Sequence, residues 1–301
     1  MNPVTPVLLV HGGAGNPLGG KVDDEQAVHG ALRDALLAGY ELLAAGGGAL
    51  DAAEAAVQWL EDCALFNAGR GSVLNAEGHV EMDAAVMDGV SRQAGACAGV
   101  VGVRHPVALA RAIMEKTPHV LLVGEGARRY AEDAGLDFED PDWFVTERER
   151  MRADADAGAA ANPEHGTVGA VALDSAGHLA AATSTGGVRG QLHGRVGDTP
   201  VIGAGTWADE HVAVSCTGTG EQFIQVAAAH ELSARVRHAG VPLDQAAAAV
   251  VEGLDGGFIA LGADGSSAMP FNTQLMYRGR AAAGSIQTWI WNQEEMHART
   301  R

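Results

Sequence analysis

Between about Glu147 and His165 the chain carries charge, alanine and glycine with one proline, and no β-branched or aromatic residue. That composition predicts an exposed linker, because it offers little to bury against a core. The segments TVGAVALD and HLAAATST follow immediately, and they read as two strands joined by Ser175-Ala176-Gly177. A core strand thus begins at Thr167, where a flexible stretch ends. This junction restricts the fold more than any other feature, and it makes the peptide before Thr167 the place to look for chemistry.

The flanking text supplies the rest of the architecture. Val7 to Val10 form a short apolar run that stops at His11-Gly12-Gly13-Ala14-Gly15, as a buried strand does when it enters a glycine turn. Val28, Leu32, Leu36, Gly39 and Leu43 recur at helical spacing. After Gly46-Gly47-Gly48 a second helix is expected, with Asp51 as N-cap and Glu54 three residues on. Phe66 to Val103 reads as strands separated by turns, Pro106 to Glu115 as a helix, and Val120 to Val123 as a buried strand. The GEGARRYAEDAG segment then reads as a short helix ended by Gly135. Beyond the junction come a glycine-rich loop, a strand at Val212 to Cys216, two helices within Glu221 to Leu254 and a hairpin around Ala263-Asp264-Gly265. Strands alternate with helix pairs without a steady βαβ rhythm, which predicts an α+β fold of sheet layers flanked by helices.

Composition narrows the function. With 38 acidic against 20 basic residues the formal charge is -18, so nucleic acid and anionic membranes are not expected partners. The three cysteines, Cys63, Cys97 and Cys216, are far apart in apolar surroundings and read as reduced, mostly buried thiols. The twelve histidines, His11, His165 and His193 among them, show neither zinc spacing nor a serine or cysteine to activate, so they read as structural and no side-chain metal site is expected. The N-terminal text has no basic n-region and no span suited to a bilayer, which predicts a cytoplasmic location.

A threonine hydroxyl is a poor nucleophile at neutral pH, and a free α-amine beside it can act as its base. Cutting between Gly166 and Thr167 would create that arrangement. Taken alone, Thr167 reads better as a threonine that merely starts a strand. Its surroundings decide the matter. The motifs HGTVGAVALDSAGHLAAATSTGG, HGRVGDTPVIGAG and VAVSCTGTGE, with HGGAG near the start, LFNAGRGSVLNAEGHVEMDAAVMDG in the first half and PFNT near the end, resemble in order those of plant-type asparaginases and isoaspartyl peptidases. The likeness covers nearly the whole chain apart from the linker.

The resemblance implies an N-terminal-nucleophile hydrolase with a four-layered αββα sandwich. It implies a precursor that cuts itself into an α-subunit, residues 1–166 with a linker over about 150–166, and a β-subunit, residues 167–301, the two remaining one folded unit. Thr167 corresponds to the nucleophile and Thr185 to the threonine that bonds to it. Arg195 and Asp198, three apart in GRVGD, correspond to the pair that binds the α-carboxylate and α-ammonium of an aspartyl substrate. Thr217 and Gly218 correspond to the oxyanion hole, with Gly220 keeping that turn open. Asn67 matches a polar residue beside the nucleophile that helps position groups for self-cleavage. The neighbouring loop resembles one that binds sodium through carbonyl oxygens, here those of Leu60, Glu61, Cys63, Phe66, Ala68 and Arg70.

The activity implied is hydrolysis of L-asparagine and β-aspartyl dipeptides through a Thr167 ester, by a dimer of cleaved αβ protomers with no required cofactor. Two alternatives remain. Glycosylasparaginase shares the fold and nucleophile, but it tends to have Asp before the threonine and Asn-Gly-Asp after the oxyanion residues, where this chain has Gly166 and Thr219-Gly220-Glu221. The other is a homologue that keeps the fold but never matures, because cleavage depends on backbone strain that a sequence does not display.

Overall fold

A computed structural model describes residues 4–17, 22, 24–156 and 166–292. In chain order the elements begin with β1 (Val7–Gly15), α1 (Glu25–Ala44), α2 (Ala49–Asp62), β2 (Met82–Asp88), β3 (Ala94–Val100) and α3 (Pro106–Lys116). Next come β4 (Leu121–Val123), α4 (Gly124–Asp133), α5 (Pro141–Phe144), α6 (Glu147–Asp156), β5 (Val168–Leu173), β6 (Leu179–Thr185), β7 (Thr206–Ala208) and β8 (Val212–Gly218). The chain continues through α7 (Gly220–Val226), α8 (Ala228–Ala239), α9 (Leu243–Val251), β9 (Gly256–Gly262), β10 (Ser267–Ala268), β11 (Leu275–Ala282) and β12 (Ser285–Trp291).

The strands form an eight-stranded sheet in the order β12-β11-β1-β5-β6-β2-β3-β4 and a four-stranded sheet in the order β10-β9-β8-β7. Pairing is antiparallel except between β3 and β4. Period-two alternation sorts the side chains into three buried layers. Leu8 and Val10 of β1, Ala170 and Ala172 of β5, and Ala180 and Ala182 of β6 pack against α1, α2 and α3. Val7, Leu9, Val171, Leu173, Leu179 and Ala181 face the other way and meet Ala213, Ile259 and Leu261 of the small sheet. The outer face of that sheet, through Val212, Val214, Phe258 and Ala260, covers α8 and α9. Helices, sheet, sheet and helices therefore stack as the αββα sandwich the sequence implies.

Local departures have physical causes. The cap of α2 is Gly48, without a side-chain bond, so Asp51 lies in the first turn, where a carboxylate favours the helix dipole. β4 is an edge strand with Leu121 and Val123 exposed, not a buried one. The segment Glu221 to Leu254 holds three helices, because Ala227 adopts a left-handed conformation at φ 49° and breaks the first from the second. A second hairpin, β11–β12, turns at Ala283 and Gly284, both at positive φ, without an Asn-Gly or Asp-Gly signal. The start of the expected linker is helical: α6 is rich in strong helix formers, and its Glu149 is buried against Arg189 at 2.7 Å. Residues 157–165 of that linker, His165 included, lie outside the described residues.

Candidate active site

The strand ladder brings the junction to the centre of the molecule. β5 lies between β1 and β6, with His11 opposite Gly169 and Val168 opposite Ser184, so Gly166 and Thr167 emerge beside the end of β6. There Thr167 Oγ1 donates to Thr185 Oγ1 at 3.3 Å, and Thr185 Oγ1 donates to the Gly166 carbonyl oxygen at 2.9 Å. Asn67 Nδ2 donates to that same carbonyl oxygen at 2.9 Å and to the Gly187 carbonyl at 2.7 Å. Asn67 is itself fixed, since its Oδ1 accepts the Val73 N–H at 3.0 Å. The carbonyl before Thr167 thus has two neutral donors, and Gly166 packs so closely that a β-carbon there would lie 2.7 Å from Asn67 Cβ.

Thr167 and Thr185 open into a narrow crevice shared with Gly187, Val188, Arg195, Gly197, Asp198 and Gly218. A wider groove of about 250 Å³ adjoins the other side of Gly166, lined in part by Gly13, Asn67, Arg148 and Tyr277. In the crevice Asp198 is buried, and its Oδ2 has no hydrogen-bond partner among the described residues. Burial pushes the Asp198 carboxyl up to about 6, outweighing the opposing pull of Arg195.

Arg195 is held from outside the crevice. Glu221, at the start of α7, accepts from its Nε at 2.9 Å and from its Nη2 at 3.0 Å. This pairing occupies the Nε side of the guanidinium and leaves the Nη1–Nη2 edge as the fork a ligand carboxylate could take. Glycine is required at the turn after β8, but at Gly218, whose φ of +145° suits no side chain, and not chiefly at Gly220. Gly220 serves close approach, because a β-carbon there would sit 2.8 Å from Asp198 Oδ1 and 3.1 Å from Arg195 Nη2. Thr217 is buried and its Oγ1 accepts the Ala14 N–H at 3.2 Å, which ties the HGGAG turn to the end of β8.

His11 is wholly buried and bonds Ser215 at 2.8 Å. Burial lowers its pKa to about 3, against a smaller raising effect from the Thr167 backbone, so it is a neutral imidazole beside the strand that follows Thr167. Cys97 and Cys216 are buried and Cys63 is half-buried, and all three are free thiols. None lines the crevice. Glu221, Glu81 and Asp83 make contacts that the sequence motifs do not single out. Their signals were Glu221's place next to Gly220 and the two-residue spacing of Glu81 and Asp83 on one strand face.

Comparison with known proteins shows the family to which the chain belongs. A family model described as Asparaginase matches residues 4–290. The chain is 45% identical over 303 residues to the isoaspartyl peptidase of Salmonella typhimurium, covering 94% of this chain and 97% of that one. It is 43% identical over 303 residues to the isoaspartyl peptidase of Escherichia coli, covering 94% of both. The human isoaspartyl peptidase/L-asparaginase is 45% identical over 230 residues, 74% of each chain. With a family match running from the first strand through the last, the chain belongs to this asparaginase family.

Proposed function

We propose that this chain is a self-cleaving amidohydrolase that acts on L-asparagine and β-aspartyl dipeptides through Thr167. The observation that carries the reading is the doubly bonded Gly166 carbonyl, with the Thr167 hydroxyl bonded to one of its two donors. In the first reaction Thr167 Oγ attacks the Gly166 carbonyl carbon. Negative charge develops on the carbonyl oxygen, where Asn67 Nδ2 and Thr185 Oγ1 already point. The C–N bond breaks, the threonine proton passes to the departing nitrogen, and water hydrolyses the ester to leave a Gly166 carboxylate and a free Thr167 α-amine. That amine titrates near ~7.7 to 8.0 in model compounds, so a good fraction can serve as base for the adjacent hydroxyl.

In the second reaction the hydroxyl attacks the side-chain carbonyl of the substrate. Arg195 takes the α-carboxylate on its remaining edge, and Asp198 supplies the carboxylate oxygen that the α-ammonium needs. Thr217 and Gly218 face the new oxyanion. Ammonia or an amino acid leaves, and water resolves the β-aspartyl ester. Because only the aspartyl α-groups are gripped by charge, the leaving side can vary. The relatives, an isoaspartyl peptidase and an isoaspartyl peptidase/L-asparaginase, support both substrates.

The matured fragments would stay one body, since β1 of the first lies between β11 and β5 of the second and β2 of the first pairs with β6 of the second, and two such bodies would pair. A sodium ion would sit at the loop that closes on the end of α2, where Gly71 passes so near the Phe66 carbonyl oxygen that a β-carbon there would meet it at 2.6 Å. The carbonyls of Leu60, Glu61, Cys63, Phe66, Ala68 and Arg70 would hold it, and it would steady Asn67 without joining the chemistry. A cytoplasmic location goes with this reading, and no helix among the described residues is long and apolar enough to cross a membrane. Mass spectrometry of the purified chain tests the proposal: two fragments, one ending at Gly166 and the other starting at Thr167, are expected. A single intact chain that still turns over L-asparagine would overturn it.

A further inference from the structure

The loop that carries Arg195 and Asp198 has few apolar anchors of its own, and two buried carboxylates hold its backbone. Glu81 and Asp83 flank Met82 where β2 begins; Met82 is buried in the helix-facing core, so the two acids project from the opposite face of the strand. Glu81 accepts the Gly194 N–H at 3.1 Å and 3.3 Å through its two oxygens, and it also accepts from Asn75 Nδ2 at 2.7 Å. His193 Nδ1 lies 3.2 Å from it. Asp83 accepts the Gly99 N–H at 2.8 Å through Oδ1 and the Gly197 N–H at 3.3 Å through Oδ2. The two bonds to the loop bracket Arg195, and Asp83 sits directly opposite Thr185 in the β2–β6 ladder. One strand pair therefore sets both the hydroxyl beside the nucleophile and the height of the charged loop.

Such an arrangement is costly unless it does something. Glu81 and Asp83 are 5% and 3% exposed, and a buried carboxylate is unfavourable unless hydrogen bonds or cations compensate it. An apolar pair could fill the same volume but could not accept two loop N–H groups.

We propose that Glu81 and Asp83 are positioning residues for substrate recognition, holding the 194–198 loop so that Arg195 and Asp198 meet the α-carboxylate and α-ammonium of the substrate. This rests on the aspartyl-substrate reading given above. Replacing either acid by its amide turns one accepting oxygen into a donor that faces an N–H. The loop loses a fixed point, and binding must then order it. Self-cleavage needs neither Arg195 nor Asp198, so it reports separately on the fold and on Thr167.

The test is to measure KM and kcat for L-asparagine and a β-aspartyl dipeptide on Asp83→Asn and Glu81→Gln, with the half-time of scission followed by intact mass. KM should rise roughly ten- to a hundredfold, the size expected for a lost charged hydrogen bond. kcat should change by only a few-fold, and scission should keep its wild-type half-time. Unchanged KM in both variants would overturn the proposal, and so would a joint loss of scission, kcat and folded protein, which marks a merely structural role. If Asp83→Asn does not fold, Glu81→Gln decides alone. Failure of the wild-type chain to cut at Gly166 would instead sink the functional reading, a result recognisable before any variant is made.

Discussion

At one end of the crevice the Gly166 carbonyl accepts from Asn67 and Thr185 at 2.9 Å each, and every group involved is neutral. At the other end Arg195 shares one side with Glu221, while Asp198 keeps a buried oxygen with no partner among the described residues. The neutral end is already satisfied by the chain's own peptide. The charged end is not, and what it lacks is a cationic donor for Asp198 and an anion for the free edge of Arg195. A zwitterionic α-amino acid head group supplies both. On the proposed function the two halves answer to different substrates, the first to the backbone before Thr167 and the second to a small molecule that arrives later.

The most complete way to break the contrast is to remove the group both halves share. Thr167→Ala should stay a single chain on electrophoresis and show no turnover, because its hydroxyl attacks in both reactions. Removing the charged end alone should separate them. Arg195→Ala should mature but lose kcat/KM for L-asparagine and β-aspartyl dipeptides by ~2 to 5 kcal/mol, about thirty- to several thousandfold. Arg195→Lys should recover only part of this, since a point-like ammonium cannot pair with Glu221 and a substrate carboxylate through two separate edges.

Asp198 offers a test of opposite sign on stability. Its carboxyl is raised to about 6, so burial disfavours the folded state once pH climbs through 6 and costs nothing below its unfolded value near 3.8. Asp198→Asn should therefore be more stable than wild type by up to about 3 kcal/mol at pH 8, with the difference fading toward pH 4 in denaturant titrations. The same variant should lose substrate binding, a trade between stability and function expected at a ligand site. In the wild type, kcat/KM should fall as pH drops through about 6, because the protonated acid no longer offers charge to the ammonium. The smallest effect belongs to Glu221, whose side chain is 55% exposed. Glu221→Gln should raise KM only by about one and a half- to fivefold, as suits a partly exposed ion pair worth ~0.2 to 1 kcal/mol.

Much of this was legible before any coordinates. Thr167 at the head of a strand, the GRVGD spacing and the CTGTG turn are local patterns, and local patterns survive in sequence. The apolar text of β1, β5 and β6 likewise marks them as strands, whereas which residue faces which layer emerges only from the packing. The contacts that joined distant segments were not legible: Glu81 meets Gly194 across 113 residues and Asp83 meets Gly197 across 114. Neither is written in any window of the chain. The helix α6 is illegible for another reason. Its charged, alanine-rich text suits both a linker and a helix, and tertiary partners decided between them: Glu149 finds Arg189 and Arg148 reaches the Leu65 carbonyl.

The division of the site into two ends stands or falls on scission rates. Asn67→Ala and Arg195→Ala should be purified quickly beside the wild type and followed by intact mass spectrometry for appearance of the chain that begins at Thr167. Asn67→Ala should slow scission by ~10² to 10³, as loss of one donor to a developing oxyanion does, while Arg195→Ala should cut at the wild-type rate. Equal slowing of the two variants, or an Arg195→Ala chain that stays whole, would contradict the account.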